Sequence, residues 1–100
     1  MIDLTEKHQS IVEDILRRYI PDYQVWAFGF RVTGKAKQYS DLDLAIISDK
    51  PLDFGLLGEI RGAFSESDLP FKVDLIDWSA TSREFQGIIR KSFVVIQKAQ

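Results

Sequence analysis

Two carboxylates, Asp41 and Asp43, stand two positions apart in the stretch SDLDLAII, with leucines interleaved and isoleucines following. Alternate side chains of an extended chain project from one face, so this spacing sets both carboxylates side by side while Leu42 and Leu44 turn into a core. Two anions so placed repel each other, and a divalent cation removes that cost. Mg²⁺ suits the position because it takes oxygen ligands and keeps places for water and substrate phosphates. A third carboxylate, Asp74 in KVDLID, alternates with Val73 and Leu75 in the same way. If its strand lies beside that of Asp41 and Asp43, three carboxylates converge, the kind of set that holds two metal ions against the attacking and leaving oxygens of a phosphoryl-type transfer. D-x-D is a common pattern, so the trio rather than the pair carries the expectation. Asp77 shares the face of Asp74 but falls near the strand end, where capping the next helix or a place on the rim is expected, outside the metal set.

Other chemistries are excluded by composition. The chain has no cysteine, which removes disulfides and thiolate metal sites. Its one histidine, His8, stands among polar residues near the start of the first predicted helix, where a solvated side chain is expected. Any metal is therefore held by oxygen. A formal net charge of −2 and a pI near 5.3 argue against a general nucleic-acid-binding protein, whose affinity comes from many Lys and Arg contacts to phosphate. No apolar run approaches the roughly 18 residues that cross a bilayer. The opening MIDLTEKHQS lacks the basic-then-apolar plan of a signal peptide, so the expected location is cytoplasmic.

The elements that must position these carboxylates are legible from periodicity. With 100 residues, 45% hydrophobic and 28% charged, the chain matches one globular domain spanning residues 1–100. Ile11, Val12, Ile15, Leu16 and Tyr19 form one stripe of a helix over Thr5 to Ile20, ended by Pro21, with Asp3–Glu6 as a capping box and Thr5 as a competing cap. YQVWAFGF reads as a first strand ending near Gly29, and LDLAII as the second, separated by RVTGKAKQYS, a loop or short helical turn broken at Gly34. A second helix runs from Leu52 to Ser65 with Asp53 at its positive end. FKVDLIDW is a third strand, SATSREFQGIIRKSF a third helix with Phe85, Ile88 and Ile89 inward, and VVI a short apolar tail. The order predicts a small α/β sandwich, helices packed against a mixed sheet. Gly55, Gly58 and Gly62 share one face of the second helix and together cost about 2 to 3 kcal/mol of propensity. That face is read either as a weak surface helix or as a place where a partner's backbone comes close.

Gly29, the next position, ten residues from Arg31 to Ser40, then Asp41-Leu42-Asp43 resembles the glycine-serine, spacer, D-x-D signature of the DNA polymerase β-like nucleotidyltransferases. More narrowly, WAFGFRVTGKAKQYSDLDLAI is similar to the minimal nucleotidyltransferase (MNT) proteins, and the similarity continues through SESDLPFKVDLIDW and IIRKSFVVIQ. The resemblance implies the polymerase β palm-like fold, a two-metal Mg²⁺ site on Asp41, Asp43 and Asp74, and ATP as nucleotide. It also implies that Asp74 helps deprotonate the acceptor hydroxyl. Gly29 and its neighbours would cradle phosphates at the start of a short helix, with Arg31, Lys35 and Lys37 as further phosphate contacts. Ser40 belongs to the same candidate set, its first expected use being to fix the turn. By the same resemblance the partner is a helical HEPN protein, the chain its antitoxin, and the reaction transfer of AMP to a tyrosine hydroxyl of that partner.

Phe30 departs from the family pattern, which has serine there. A hydroxyl able to bond a phosphate oxygen is replaced by a ring with no donor or acceptor, at a cost of roughly 1.5 to 3 kcal/mol for a hydrogen bond to a charged group. The ring either turns into the core or fills the phosphate pocket. The second case makes the chain a binding-only antitoxin, the alternative to a working transferase. A small-molecule nucleotidyltransferase of the aminoglycoside-modifying kind ranks last, because nothing here encloses a small acceptor.

Overall fold

The computed structural model describes residues 2–37 and 39–100. Its elements are α1 (Glu6–Tyr19), β1 (Gln24–Phe28), α2 (Phe30–Thr33), β2 (Leu42–Ile47), α3 (Phe54–Ser65), β3 (Val73–Asp77), a 3₁₀ turn (Trp78–Ala80), α4 (Arg83–Lys91) and β4 (Val94–Gln97). Side-chain caps set the helix starts. Thr5 Oγ1 accepts from the His8 N–H at 3.1 Å, so Thr5 and not Asp3 opens α1. Asp53 Oδ2 accepts from Leu56 N–H at 2.9 Å ahead of α3, and Ser82 Oγ from Phe85 N–H at 3.2 Å ahead of α4. No described helix is long and apolar enough to cross a membrane.

The strands form one mixed sheet in the order β3-β2-β1-β4, with β1 antiparallel to β2 and β4, and β2 parallel to β3 through the α3 crossover. The tail VVI is a correction to the sequence reading: it is β4, paired with β1. Four residues are too few to show a period, and what makes them a strand is a free edge on β1. Gln97 Nε2 ties this strand to the α1–β1 turn by donating to the carbonyls of Ile20 and Tyr23 at 2.9 and 2.8 Å.

Alternation along the strands splits the core in two. On one face Val25, Ala27, Leu42, Leu44, Ile46, Leu75 and Ile96 pack with Val12, Ile15 and Leu16 of α1 and Leu57, Ile60 and Phe64 of α3. On the other, Trp26, Phe28, Ala45, Ile47 and Ile76 meet Trp78 and Ile89, a much smaller cluster. Of the three residues of α4 expected to face inward, only Ile89 is buried; Phe85 is 39% exposed and Ile88 61% exposed. The sheet row beside them is Phe28, Asp43 and Asp74, so the Phe85 ring meets only Phe28 there, edge-to-face at 5.9 Å, and the rest of the row is charged. Gly58 and Gly62 of α3 have nothing of this chain within 4 Å of an added Cβ, so close packing within the fold does not explain that glycine face.

Arg31 is the one charged residue in the buried set among the described residues. Its Nε donates to the Ser40 carbonyl at 2.9 Å, its Nη1 to the Asp3 carbonyl at 3.0 Å, and its guanidinium lies 4.0 Å from the Phe71 ring centroid. His8, expected in solvent, is half-buried and meets the same ring edge-on at 5.6 Å. One side chain thus gathers the N-terminal segment, the end of the loop before β2 and the entry to β3. Arg31→Met strips both carbonyls of their donor, and is expected to lower unfolding free energy by about 2 to 3 kcal/mol in urea titration; a loss below about 0.5 kcal/mol, the range of ordinary surface changes, would show that this clamp does not hold the loop.

Candidate active site

The parallel pairing of β2 with β3 sets Asp43 opposite Asp74, and the antiparallel pairing with β1 sets Phe28 opposite Asp43. Phe28, Asp43 and Asp74 therefore form one row across three strands, on the sheet face that α1 and α3 leave open. Asp43 is the most perturbed carboxyl of the row. Its own burial, then the charge of Asp74, then that of Asp41 push it up to about 6. Asp41 is exposed, one residue ahead of β2, near enough to act on Asp43. Lys72 Nζ lies 3.4 Å from Asp74 Oδ1, an ion pair whose side chains are 73% and 43% exposed and which contributes little energy. Among the described residues no three carboxylates close around a single ion position. The expected convergence is thus an in-register pair with Asp41 beside it.

Gly29 fits this row for two reasons. Its φ of 81° and ψ of −157° lie where side chains are strained, and a Cβ there would overlap Asp43 Oδ2 and stand 3.3 Å from Asp43 Cγ. The chain can then turn at once into α2, where Val32 N–H and Thr33 N–H donate to the Gly29 carbonyl at 3.0 and 3.1 Å. Gly34, at φ 82°, ends the single turn.

The other residues singled out from the sequence have different surroundings. Phe30 is 60% exposed, so its ring is not in the core. It lines a depression of about 320 Å³ together with Tyr39, Ser40, Asp41 and Asp43. Lys35 and Lys37 are exposed on the loop that follows α2. Arg31 points inward, its guanidinium engaged under the loop, which places it apart from the exposed cations. Ser40 fixes the turn as expected, its Oγ accepting from Lys37 N–H at 2.8 Å. Asp77 caps the 3₁₀ turn: burial raises its carboxyl, but hydrogen bonds from Ser48, Leu52 and Ser79 outweigh this and hold it below the ordinary value.

Tyr39 and Lys72 are the neighbours that sequence reasoning passed over. Lys72 was within reach of it, since it precedes Asp74 by two positions and so shares its face. Tyr39 had no signal, because a loop residue's direction follows from the turn that Arg31 and Ser40 hold.

Asp43 makes stability depend on pH. Between about pH 4 and about 6 the folded chain keeps a proton on Asp43 that the unfolded chain, with an ordinary value of 3.8, has already released. Its contribution to stability is therefore present at the low end of that window and lost as pH rises through it. Asp43→Asn is expected to flatten this slope and to melt higher than the parent at about pH 7 in chelator. Thermal melts across the window read both effects; identical slopes would show that burial does not strain the carboxylate.

The comparisons with known proteins bear on the family and the fold. The family model described as polymerase beta, nucleotidyltransferase matches residues 10–100. The Haemophilus influenzae "Probable protein adenylyltransferase MntA" is 58% identical over 99 residues, covering 99% of this chain and 87% of that protein. A crystal structure of a toxin-antitoxin with AMP-PNP superposes with a TM-score of 0.76 at 24% identity, over 92% of this chain and 74% of that one. A tri-AMPylated Shewanella oneidensis HEPN toxin in complex with MNT antitoxin gives 0.70 at 22%, over 97% and 75%. At these identities the two structures speak for the fold alone. The family match and the 58% relative go further, and by them the chain is a nucleotidyltransferase of the polymerase β family.

Proposed function

We propose that this chain moves a nucleoside monophosphate, AMP from ATP, onto a hydroxyl of a helical HEPN-type partner, and so serves as the antitoxin of a toxin–antitoxin pair. The observation that carries the reading is the in-register pair Asp43–Asp74 at the family's motif positions, with Asp41 beside it and Gly29 packed against it. The relative's name, which speaks of protein adenylyl transfer, supports the reaction, and the AMPylated HEPN complex supports the partner.

The donor set fits Mg²⁺. It is all oxygen, and Mg²⁺ is held by one or two carboxylates plus substrate phosphates and water, so no closed three-carboxylate cage is required. Asp41, Asp43 and Asp74 would hold it, and when bound it neutralises the triphosphate and the mutual repulsion of the carboxylates. Asp74 is placed to take the proton of the acceptor hydroxyl. The acceptor oxygen bonds to the α-phosphorus, the bond from that phosphorus to the bridging oxygen breaks, and pyrophosphate leaves. Gly29 would let the backbone pass close to the triphosphate, and Lys35 and Lys37, exposed on the loop after α2, would supply cations to it.

Phe30 lines the depression beside Asp41 and Asp43 and offers phosphate no hydrogen bond, which weakens this site. With Mg²⁺, α-labelled ATP and a HEPN-type partner, the partner becomes labelled. Phe30→Ser raises the rate by about tenfold, the worth of one hydrogen bond to a charged oxygen. Asp43→Asn abolishes labelling. No label from the parent or from Phe30→Ser rejects the transferase. If the partner still co-purifies with Asp43→Asn in that event, the chain is the binding-only antitoxin.

A further inference from the structure

Beside the carboxylate row lies a second cleft, of about 330 Å³, between α2 and α4. Phe28, Phe30, Phe85 and Ile88 form its apolar lining. Phe30, Ile88 and Phe85 are 60%, 61% and 39% exposed, so three large apolar side chains gather at one opening instead of scattering over the surface. The lining is already organised: the Phe28 and Phe85 rings meet edge-to-face at 5.9 Å and 81°.

We propose that this cleft is a nucleobase subsite, which holds the base by stacking and apolar contact without reading its hydrogen-bonding edge. The proposal rests on the transferase reading above. Continuity identifies the occupant. Asp43 and Phe30 line both this cleft and the acidic depression that holds Asp41, so a single ligand with a flat ring and an anionic tail spans the two. A nucleotide has that form. The volume sits at the small end of the range of about 300 to 1,000 Å³ typical of small-ligand pockets, too little for a partner's helix.

The polar side chains of the cleft do not favour one base edge over another. Apart from Asp43, they are the hydroxyls of Thr33 and Ser92. The Thr33 hydroxyl lies 3.4 Å from the Phe30 carbonyl and can turn away from it. A hydroxyl both donates and accepts, so it meets an exocyclic amine and an exocyclic carbonyl alike. Rejecting the wrong base needs a donor or acceptor of fixed sense, left unpaired by that base.

The test is calorimetry of the full chain with Mg²⁺, using ATP, GTP and inorganic tripolyphosphate as probes. ATP and GTP are expected to bind within about threefold of each other and about tenfold or more tighter than tripolyphosphate, in keeping with the worth of base stacking on aromatic side chains. Ile88→Ser, at an exposed position, and Phe85→Ala are each expected to weaken ATP by about five- to tenfold and leave tripolyphosphate unchanged. Three results overturn the subsite while leaving the transferase standing: ATP no tighter than tripolyphosphate, both probes weakened alike by the variants, or ATP preferred over GTP by more than about 30-fold, the mark of a read edge. Unchanged ATP affinity with lost capture of a HEPN-type partner would assign the cleft to a protein side chain and overturn it too. If neither ATP nor tripolyphosphate binds, the transferase reading falls along with the subsite.

Discussion

The parallel pairing of β2 with β3 is the constraint on which the rest depends. A parallel neighbour cannot be reached by a hairpin, so the chain must leave the sheet, cross as α3 and return. That crossover covers one sheet face together with α1 and builds the larger core from Leu42, Leu44, Ile46 and Leu75. The alternation that sends those residues inward sends Asp43 and Asp74 outward in the same register. Core and carboxylate row are two faces of one pairing, and a slip of one residue would bury the charges and expose the leucines.

Around that pairing, two contacts set how closely the backbone approaches the carboxylates. Gly29 has no Cβ where Asp43 needs the space, and its positive φ sends the chain straight into the single turn of α2. Arg31 then draws the loop back over the N-terminal segment and Phe71. A buried guanidinium is costly to desolvate, and it is offset here by main-chain carbonyls and an aromatic face, so the charge acts as a clamp. The site's electrostatics follow from the crowding. Asp43 sits between Asp41 and Asp74 with part of its hydration removed, which raises its proton affinity and makes a divalent cation the natural way to relieve it.

The open sheet face carries three of the exposed large apolar side chains, Phe30, Phe85 and Ile88. α4 contributes a single buried residue, Ile89, to the small second core and leaves Phe85 and Ile88 beside Phe30 at the edge of the carboxylate row. An apolar rim against a charged row suits a ligand or partner that is itself half apolar and half ionic. Phe30 is part of that apolar rim as well as of the depression that holds Asp41.

Most of the framework was legible from local rules, because it rests on short-range physics. Helical stripes, the Thr5 and Asp53 caps, the Gly34 stop and the alternation around Asp41, Asp43 and Asp74 are each decided within a few residues. The spacing of the motif, and with it the family, is of the same kind. Other features needed the tertiary structure because they depend on partners distant in sequence. Val94–Gln97 becomes a strand because β1 offers it an edge, and Arg31 turns inward because Asp3 and Ser40 come to meet it from either side. Phe85 and Ile88 stay partly exposed because the row beside α4 offers them Phe28 and, beyond it, only the carboxylates of Asp43 and Asp74. The sequence by itself determined which residues could do chemistry and on which face of a strand each would stand. Only the folded chain decided which of them stand together, since register and long-range hydrogen bonds are properties of the pairing and not of any one segment.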